Sequence, residues 1–207
     1  MELRIKIDLE KMLRGSEPVV IDLGCGERKR PGRIGIDKHD LPQVDIVADL
    51  EAGLPFLPDC SVDEIHCRSF LEHVENFEYL FTEMIRVLKD SGRAYIFVPH
   101  FSNPYFYSDY THKRPFGLYT FYYFVDRGNQ PRRKVPSFYT NTRVEIHSVK
   151  LKFRSPVRIL HWLRKLVGMI VNLHPTLQEF YEAGLCYLAP CDGVEVVLGP
   201  ARSRPKP

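Results

Sequence analysis

The chain has no C-x-x-C pair among its five cysteines (25, 60, 67, 186 and 191), no uncharged run of membrane-spanning length and no internal repeat. Cysteines spaced this way are reduced, intracellular usage and argue against a disulfide framework. The first seventeen residues carry charges throughout and lack the apolar core of a signal peptide. The net charge of +3 is small: it permits an anionic partner and demands none. These absences predict a cytoplasmic protein. What is present suffices for a real core, since 44% of the 207 residues are hydrophobic, and the length fits one domain.

The most informative stretch also lacks something. Val19-Val20-Ile21-Asp22-Leu23 reads as a strand buried on both faces, because β-branched residues suit a parallel sheet. Gly24-Cys25-Gly26 then breaks it, and the two glycines allow a tight turn with bare backbone for a ligand. A dinucleotide site needs a third glycine and a helix N-terminus to receive the pyrophosphate. Position 29 holds lysine instead, and Glu27 to Gly32 is too short, and too near Pro31-Gly32, to form a crossover helix. A ligand with an adenosine but no phosphates has no use for that helix dipole. S-adenosylmethionine is such a ligand.

The rest of the chain alternates strands with connectors. Asp8 to Arg14 is a short leading helix. Arg33 to Asp37, Val44 to Asp49, Val62 to Cys67 and Ala94 to Val98 are strands two to five. Phe77 to Leu88 places 77, 80, 81, 84, 85 and 88 on one helical face. An open α/β sheet binds ligands beyond the carboxyl ends of its strands, so Asp22, Asp37 and Asp49 are predicted to line one crevice. After Pro99 the texture changes to a stretch rich in Tyr, Phe and His up to 124, then a basic loop from Asp126 to Ser137. Val144 to Val149 reads as a later strand, Pro156 to Asn172 as a helix and Gly193 to Leu198 as the last strand. Residues 1–200 are thus expected to form one domain, with 18–99 the cofactor-binding core, 100–190 acceptor-side insertions with a covering helix, and 201–207 a frayed tail.

In order and spacing, VVIDLGCG, IGIDKHD, DIVADL, LPFLPDCSVDEIHC, LEHVEN, EMIRVLKDSGRAYIFVP and DYTHKRPF resemble the class I S-adenosylmethionine-dependent methyltransferases. Within these, the chain is similar to a small family associated with bacterial cell-surface polysaccharide biosynthesis. The matching stretch runs from about Val19 to Phe124. Two positions depart from the pattern: Arg28 replaces a glycine, and Asp90-Ser91-Gly92 replaces a Pro-Gly-Gly turn. The resemblance implies a Rossmann-like sheet, mostly parallel with an antiparallel last strand and helices on both faces. It also implies S-adenosyl-L-methionine as cofactor.

By that resemblance Asp37 accepts hydrogen bonds from the ribose hydroxyls, with Lys38 beside it, and Asp49 accepts from the adenine amino group, with Leu50 against the ring. Asp22 orders the glycine loop and approaches the methionine portion. Gly24, Cys25 and Gly26 supply backbone, while Arg68 and Ser69 follow strand four where the methionine and methyl ends lie. Arg28 and Lys29 either draw the methionine carboxylate or form a solvated basic loop. His73 is either a structural or a catalytic histidine.

On the acceptor side, His100, Asp109 and His112 are the residues able to take a proton from an oxygen or nitrogen acceptor, or to shape its pocket. No metal site is expected, because no tight ligand spacing is visible. The acceptor is read as a small molecule or a glycan, and no DNA partner is expected. Two alternatives stand beside this: an RNA methyltransferase tracking phosphates with Arg127, Arg132, Arg133 and Lys134, and a cofactor-binding module without catalysis. The 156–172 helix is apolar over a wide face. That face is expected to be buried against the domain or a second subunit, or to lie on the inner membrane surface with Arg158, Arg164 and Lys165 toward anionic lipid.

Overall fold

A computed structural model describes residues 3–155 and 158–201. Pro156, Val157 and nearly all of the expected tail therefore lie outside the described residues. In chain order the elements are β1 (Arg4–Ile5), α1 (Leu9–Arg14), β2 (Val20–Leu23), β3 (Ile34–Asp37), β4 (Ile46–Val47), β5 (Val62–Arg68), α2 (Phe77–Val87), β6 (Leu88–Pro99), β7 (Val144–Lys152), α3 (Arg158–Val171), α4 (Pro175–Gly184) and β8 (Gly193–Pro200). They form one eight-stranded sheet ordered β1-β4-β3-β2-β5-β6-β8-β7. The pairs among β2 to β6 are parallel. The last strand, β8, runs antiparallel between β6 and β7, as expected, and β1 adds an antiparallel edge that the sequence did not announce. Strand order reverses between β2 and β5, so the crevice at their carboxyl ends is the ligand position of an open α/β sheet.

Register divides the sheet into two unlike faces. Ile21, Ile34, Ile65, Ala94, Leu198 and Ile146 lie on one face, followed a step along by Leu23, Ile36, Cys67, Ile96, Val196 and Val149. That face is wholly apolar and meets α2 through Phe77, Leu80, Phe81 and Met84. Phe116, Phe121 and Phe124 from the aromatic stretch join the same core, and Phe81 and Phe124 have ring centroids 4.4 Å apart. The opposite face carries Asp22, His66, Tyr95 and Val197, then Arg68, Phe97, Glu195 and Lys150. A cleft of about 760 Å³ lies against it, walled by these strands and by the 24–33 loop, and no α-helical residue lines it. The helix that would cover this region is the crossover helix that the β2–β3 connection is too short to make.

α2 is tied to the preceding loop by one side chain. Arg86 donates to the carbonyls of Leu54 (2.9 Å) and Leu57 (3.0 Å) and pairs with Glu83 and Asp59. Glu83 in turn accepts from Leu54 N at 3.1 Å. Arg86→Ala strips two carbonyls and two carboxylates of their donor. We expect a loss of about 2–4 kcal/mol in urea unfolding with an unchanged m-value. A loss below about 0.5 kcal/mol would show that water replaces the guanidinium.

Candidate active site

The glycine turn is fixed by geometry that favours glycine. Gly24 has φ +63° and Gly26 φ +50°, both left-handed. A Cβ on Gly24 would sit 2.3 Å from the ring of Phe70, which follows β5 and lies on the turn. Gly24 N donates to Ile36 O at 2.9 Å, joining the turn to β3. Asp37, at the end of β3, accepts from Gly26 N (2.9 Å) through one oxygen and from His39 N (2.9 Å) through the other. A carboxylate has about four acceptor positions, so these two bonds use about half of its capacity.

The other predicted cofactor residues are placed unevenly. Asp22 is buried and faces the polar side of the sheet; its Oδ2 lies 3.5 Å from Arg30 N and 3.6 Å from Arg33 Nη1. It therefore orders the loop from beneath. Asp49 lies two residues beyond β4 and caps the turn Leu50–Ala52, accepting from Glu51 N at 3.1 Å. Leu50 buries its side chain in the core. Lys29 is held by Asp45 at 2.8 Å, whereas Arg28 reaches the cleft wall. Cys25 is a buried thiol pushed up to about 12 by desolvation and by the carboxylates of Asp37, Asp22 and Asp45, so it stays protonated. Arg68 lies over the Phe97 ring at 4.3 Å, and Ser69 adopts a positive φ of 50° while its N–H donates to Phe97 O. A non-glycine residue held left-handed at the end of β5 is strain concentrated at the strand-order reversal.

On the acceptor side the structure separates the three candidates. His100 is 0% exposed; its Nδ1 accepts from Ser102 N and its Nε2 donates to Glu182 at 2.8 Å. It anchors α4 to the aromatic stretch from within. Asp109 and His112 instead meet His73 and Glu72. Thr111 Oγ1 bridges Asp109 Oδ1 (2.5 Å) and His73 Nδ1 (2.9 Å), and His112 Nδ1 donates to Phe106 O (2.8 Å). His112 Nε2 lies 3.6 Å from Asp109 Oδ2, and the His73 and His112 rings are 4.8 Å apart. Lys38, next to Asp37, and His112 add positive charge that disfavours the His73 imidazolium. Burial lowers the His73 imidazolium and pushes the Glu72 carboxyl up to about 7. Glu72 is the residue that sequence reasoning missed. It sits in the turn Leu71–His73, inside the LEHVEN stretch, of which the sequence singles out only His73.

Helix α3 is half-buried or buried at Arg164, Leu166, Val167, Gly168 and Val171. The expected burial of its wide apolar face against the domain does not occur: Ile159, Trp162, Leu163, Met169 and Ile170 are exposed. Leu173, Phe180, Tyr187 and Leu188, in and around α4, extend the patch.

Comparison with known proteins agrees with this architecture. Residues 25–96 match the model of a methyltransferase domain family. No curated protein matches the chain. A protein described as a SAM dependent methyltransferase from Archaeoglobus fulgidus superposes with a TM-score of 0.55 at 18% identity, over 88% of this chain and 86% of its own. YcgJ from Bacillus subtilis gives 0.52 at 16% identity, over 95% and 98%. Geranyl diphosphate C-methyltransferase from Streptomyces coelicolor gives 0.52 at 13% identity, over 90% and 74%. At these identities the likeness is one of fold.

Gly24→Ala tests the turn. The added methyl meets both an unfavourable φ and the Phe70 ring, so we expect a loss of about 1–3 kcal/mol in stability. Gly24→Ala with the additional change Phe70→Ala should recover part of it. Failure of the double variant to recover any would place the strain in the backbone alone.

Proposed function

We propose that this chain, a class I methyltransferase by its domain and sheet order, moves a methyl group from S-adenosylmethionine to an oxygen or nitrogen of a small-molecule or glycan-like acceptor. The observation that carries this is the glycine turn at the strand-order reversal, pinned by Asp37 and without a helix N-terminus for phosphates. In this reading Asp37 receives the ribose hydroxyls, Asp49 the adenine amino group, and the backbone of Gly24 to Gly26 with Arg68 and Ser69 the methionine portion.

Transfer from a sulfonium is an in-line displacement in which the donor loses its positive charge, so positioning supplies much of the rate. The acceptor must also lose a proton. The Nδ1–H of His112 is committed to Phe106 O, which leaves Nε2 as the basic nitrogen facing Asp109. Tyr105, Tyr107 and Tyr110, in the same stretch of chain, are exposed and offer flat apolar surfaces with hydroxyls at their tips, which suits a ring-bearing polyhydroxyl acceptor. The RNA reading has less support. Of its four cations, Arg133 lies over Tyr119 at 4.9 Å and Lys134 donates to Gln130 O at 2.8 Å, so the loop uses both internally.

A contact with anionic lipid belongs to the same reading, because it would bring the site to a lipid-linked acceptor. Arg158 and Lys165 flank the exposed apolar patch on α3. No helix among the described residues is long and apolar enough to cross a membrane, so the contact would be peripheral. Trp162 is the sole tryptophan and 63% exposed, which makes its fluorescence a clean reporter. Vesicles containing phosphatidylserine should shift its emission to shorter wavelength, and Trp162→Ser should weaken co-sedimentation. A shift that follows protein concentration without vesicles would mean that a second copy covers the patch instead.

Calorimetry with S-adenosylmethionine tests the cofactor. Asp37→Ala should lower affinity tenfold or more, because charge-assisted hydrogen bonds contribute about 1.5–3 kcal/mol each. His112→Ala should leave that affinity intact and reduce turnover by roughly 100-fold or more. Cofactor binding unchanged by Asp37→Ala would remove that residue's role. Radiolabel transfer into cell extract, fractionated into RNA, protein, lipid-linked glycan and small molecules, identifies the acceptor. Binding with no transfer into any fraction would favour the non-catalytic module.

A further inference from the structure

We propose that Glu72, His73 and His112 form a binding site for a divalent transition-metal ion of the zinc class, at the edge of the crevice. Their ligand atoms all lie within 4.8 Å of one another. Three atoms so placed share a point no more than about 2.8 Å away, against about 2.0–2.1 Å for a Zn–N bond. Side-chain adjustments of less than about 1 Å would therefore close the site around an ion. Sequence spacing could not show this, because positions 72, 73 and 112 meet only through the fold.

The hydrogen bonds prepare both imidazoles as ligands. His112 Nδ1 donates to Phe106 O, and His73 Nδ1 donates to Thr111 Oγ1, whose own hydrogen goes to Asp109. Each ring is thereby left with an unprotonated Nε2, and that of His73 lies 4.0 Å from Glu72 Oε1. Partners of this kind on the second nitrogen orient metal-bound histidines and raise their basicity. Glu72 supplies the independent sign. It is 1% exposed, and its Oε2 has no hydrogen-bond partner among the described residues. A buried carboxylate oxygen left alone is costly, and a cation held by this carboxylate beside the two imidazoles would offset that cost.

Two nitrogens and one carboxylate favour zinc, iron or cobalt over magnesium or calcium, which prefer oxygen alone. Three protein ligands leave at least one coordination position open. Asp109 Oδ2, 3.6 Å from His112 Nε2, lies beside the cluster, and the open position could take that carboxylate or a hydroxyl or carboxylate of the acceptor. With the ion bound, His112 Nε2 would be a ligand and not a free base, and lowering the acceptor's proton affinity would fall to the ion. That use rests on the methyltransferase reading, whereas binding of the ion does not.

The test uses the full-length protein stripped with chelator and titrated with Zn²⁺ by calorimetry and with Co²⁺ by visible absorption. We expect one equivalent to bind, with cobalt bands typical of nitrogen and oxygen ligands. His73→Ala, His112→Ala and Glu72→Gln should each weaken binding at least tenfold, and Thr111→Val should weaken it by about 10–100-fold through His73 alone. His161→Ala and His174→Ala, in and beside the distant helices, should change nothing. Because Glu72→Gln alters the core, its fold is checked by circular dichroism, and the partly exposed His73 keeps the test open if it unfolds. No stoichiometric binding, or binding indifferent to both His73→Ala and His112→Ala, overturns the proposal. S-adenosylmethionine is titrated into the same stripped protein. Cofactor binding without zinc binding overturns the metal site alone, and zinc binding without cofactor binding overturns the methyltransferase reading alone.

Discussion

The connection from β2 to β3 holds only a single 3₁₀ turn, Gly26–Arg28, and is too short for an α-helix, and the site depends on how that shortness is compensated. In a doubly wound sheet the crossover helix holds the glycine turn in place by packing. Here side chains hold it. Asp37 accepts from Gly26 N, Gln43 donates to Gly26 O, and Asp45 joins Lys29 to the backbone of Gly35. Acidic residues at or near the ends of β3 and β4 thus brace the turn from below. Their carboxylates serve local structure first and any ligand second.

The same shortness makes the sheet asymmetric. One face is sealed by α2 and the phenylalanines of the aromatic stretch; the other presents Asp22, His66, Arg68 and Tyr95 to an open cleft. His66 stacks on Tyr95 at 4.7 Å and pairs with Glu64, so the open face is organised by polar and aromatic contacts between neighbouring strands. The acceptor-side cluster lies at the carboxyl edge, reached by the aromatic stretch that follows β6. Arg114 fastens that stretch to the turn before α2 through the carbonyls of Val74 and Glu75. His100 and Glu182 fasten it from inside.

Much of this was legible in the amino-acid order. The glycine turn, the strand at Ile34–Asp37 and the face of α2 follow from local periodicity and from glycine's unique backbone freedom, and the structure keeps them almost to the residue. What depends on register was not legible. Asp22 pairs with Gly35, two residues before Asp37, so the pleat puts both carboxylates on one face; what separates them is their partners, Arg30 and Arg33 for Asp22 inside its strand, Gly26 and His39 for Asp37 at the end of its own. Strand three shrinks to Ile46–Val47 because Asp45 is drawn away to Lys29, which leaves Asp49 on a turn. Helix α4 carried its own signals, Pro175 at the first turn and His174 as cap, but its polar Gln178 is buried on backbone and hides the pattern. Glu72 and His112 stand forty residues apart, and no local rule connects them.

A sheet sealed on one side gives its strands a two-beat grammar. Along β5, Ile65 and Cys67 answer to the core, whereas His66 and Arg68 answer to the open cleft. Because the side-chain period is two, a single-residue insertion in β5 or β6 would exchange these duties at every later position and spoil stability and cleft together. A substitution at an alternate position touches only one of them. The chain can therefore vary the chemistry of its open face, residue by residue, without renegotiating how it folds.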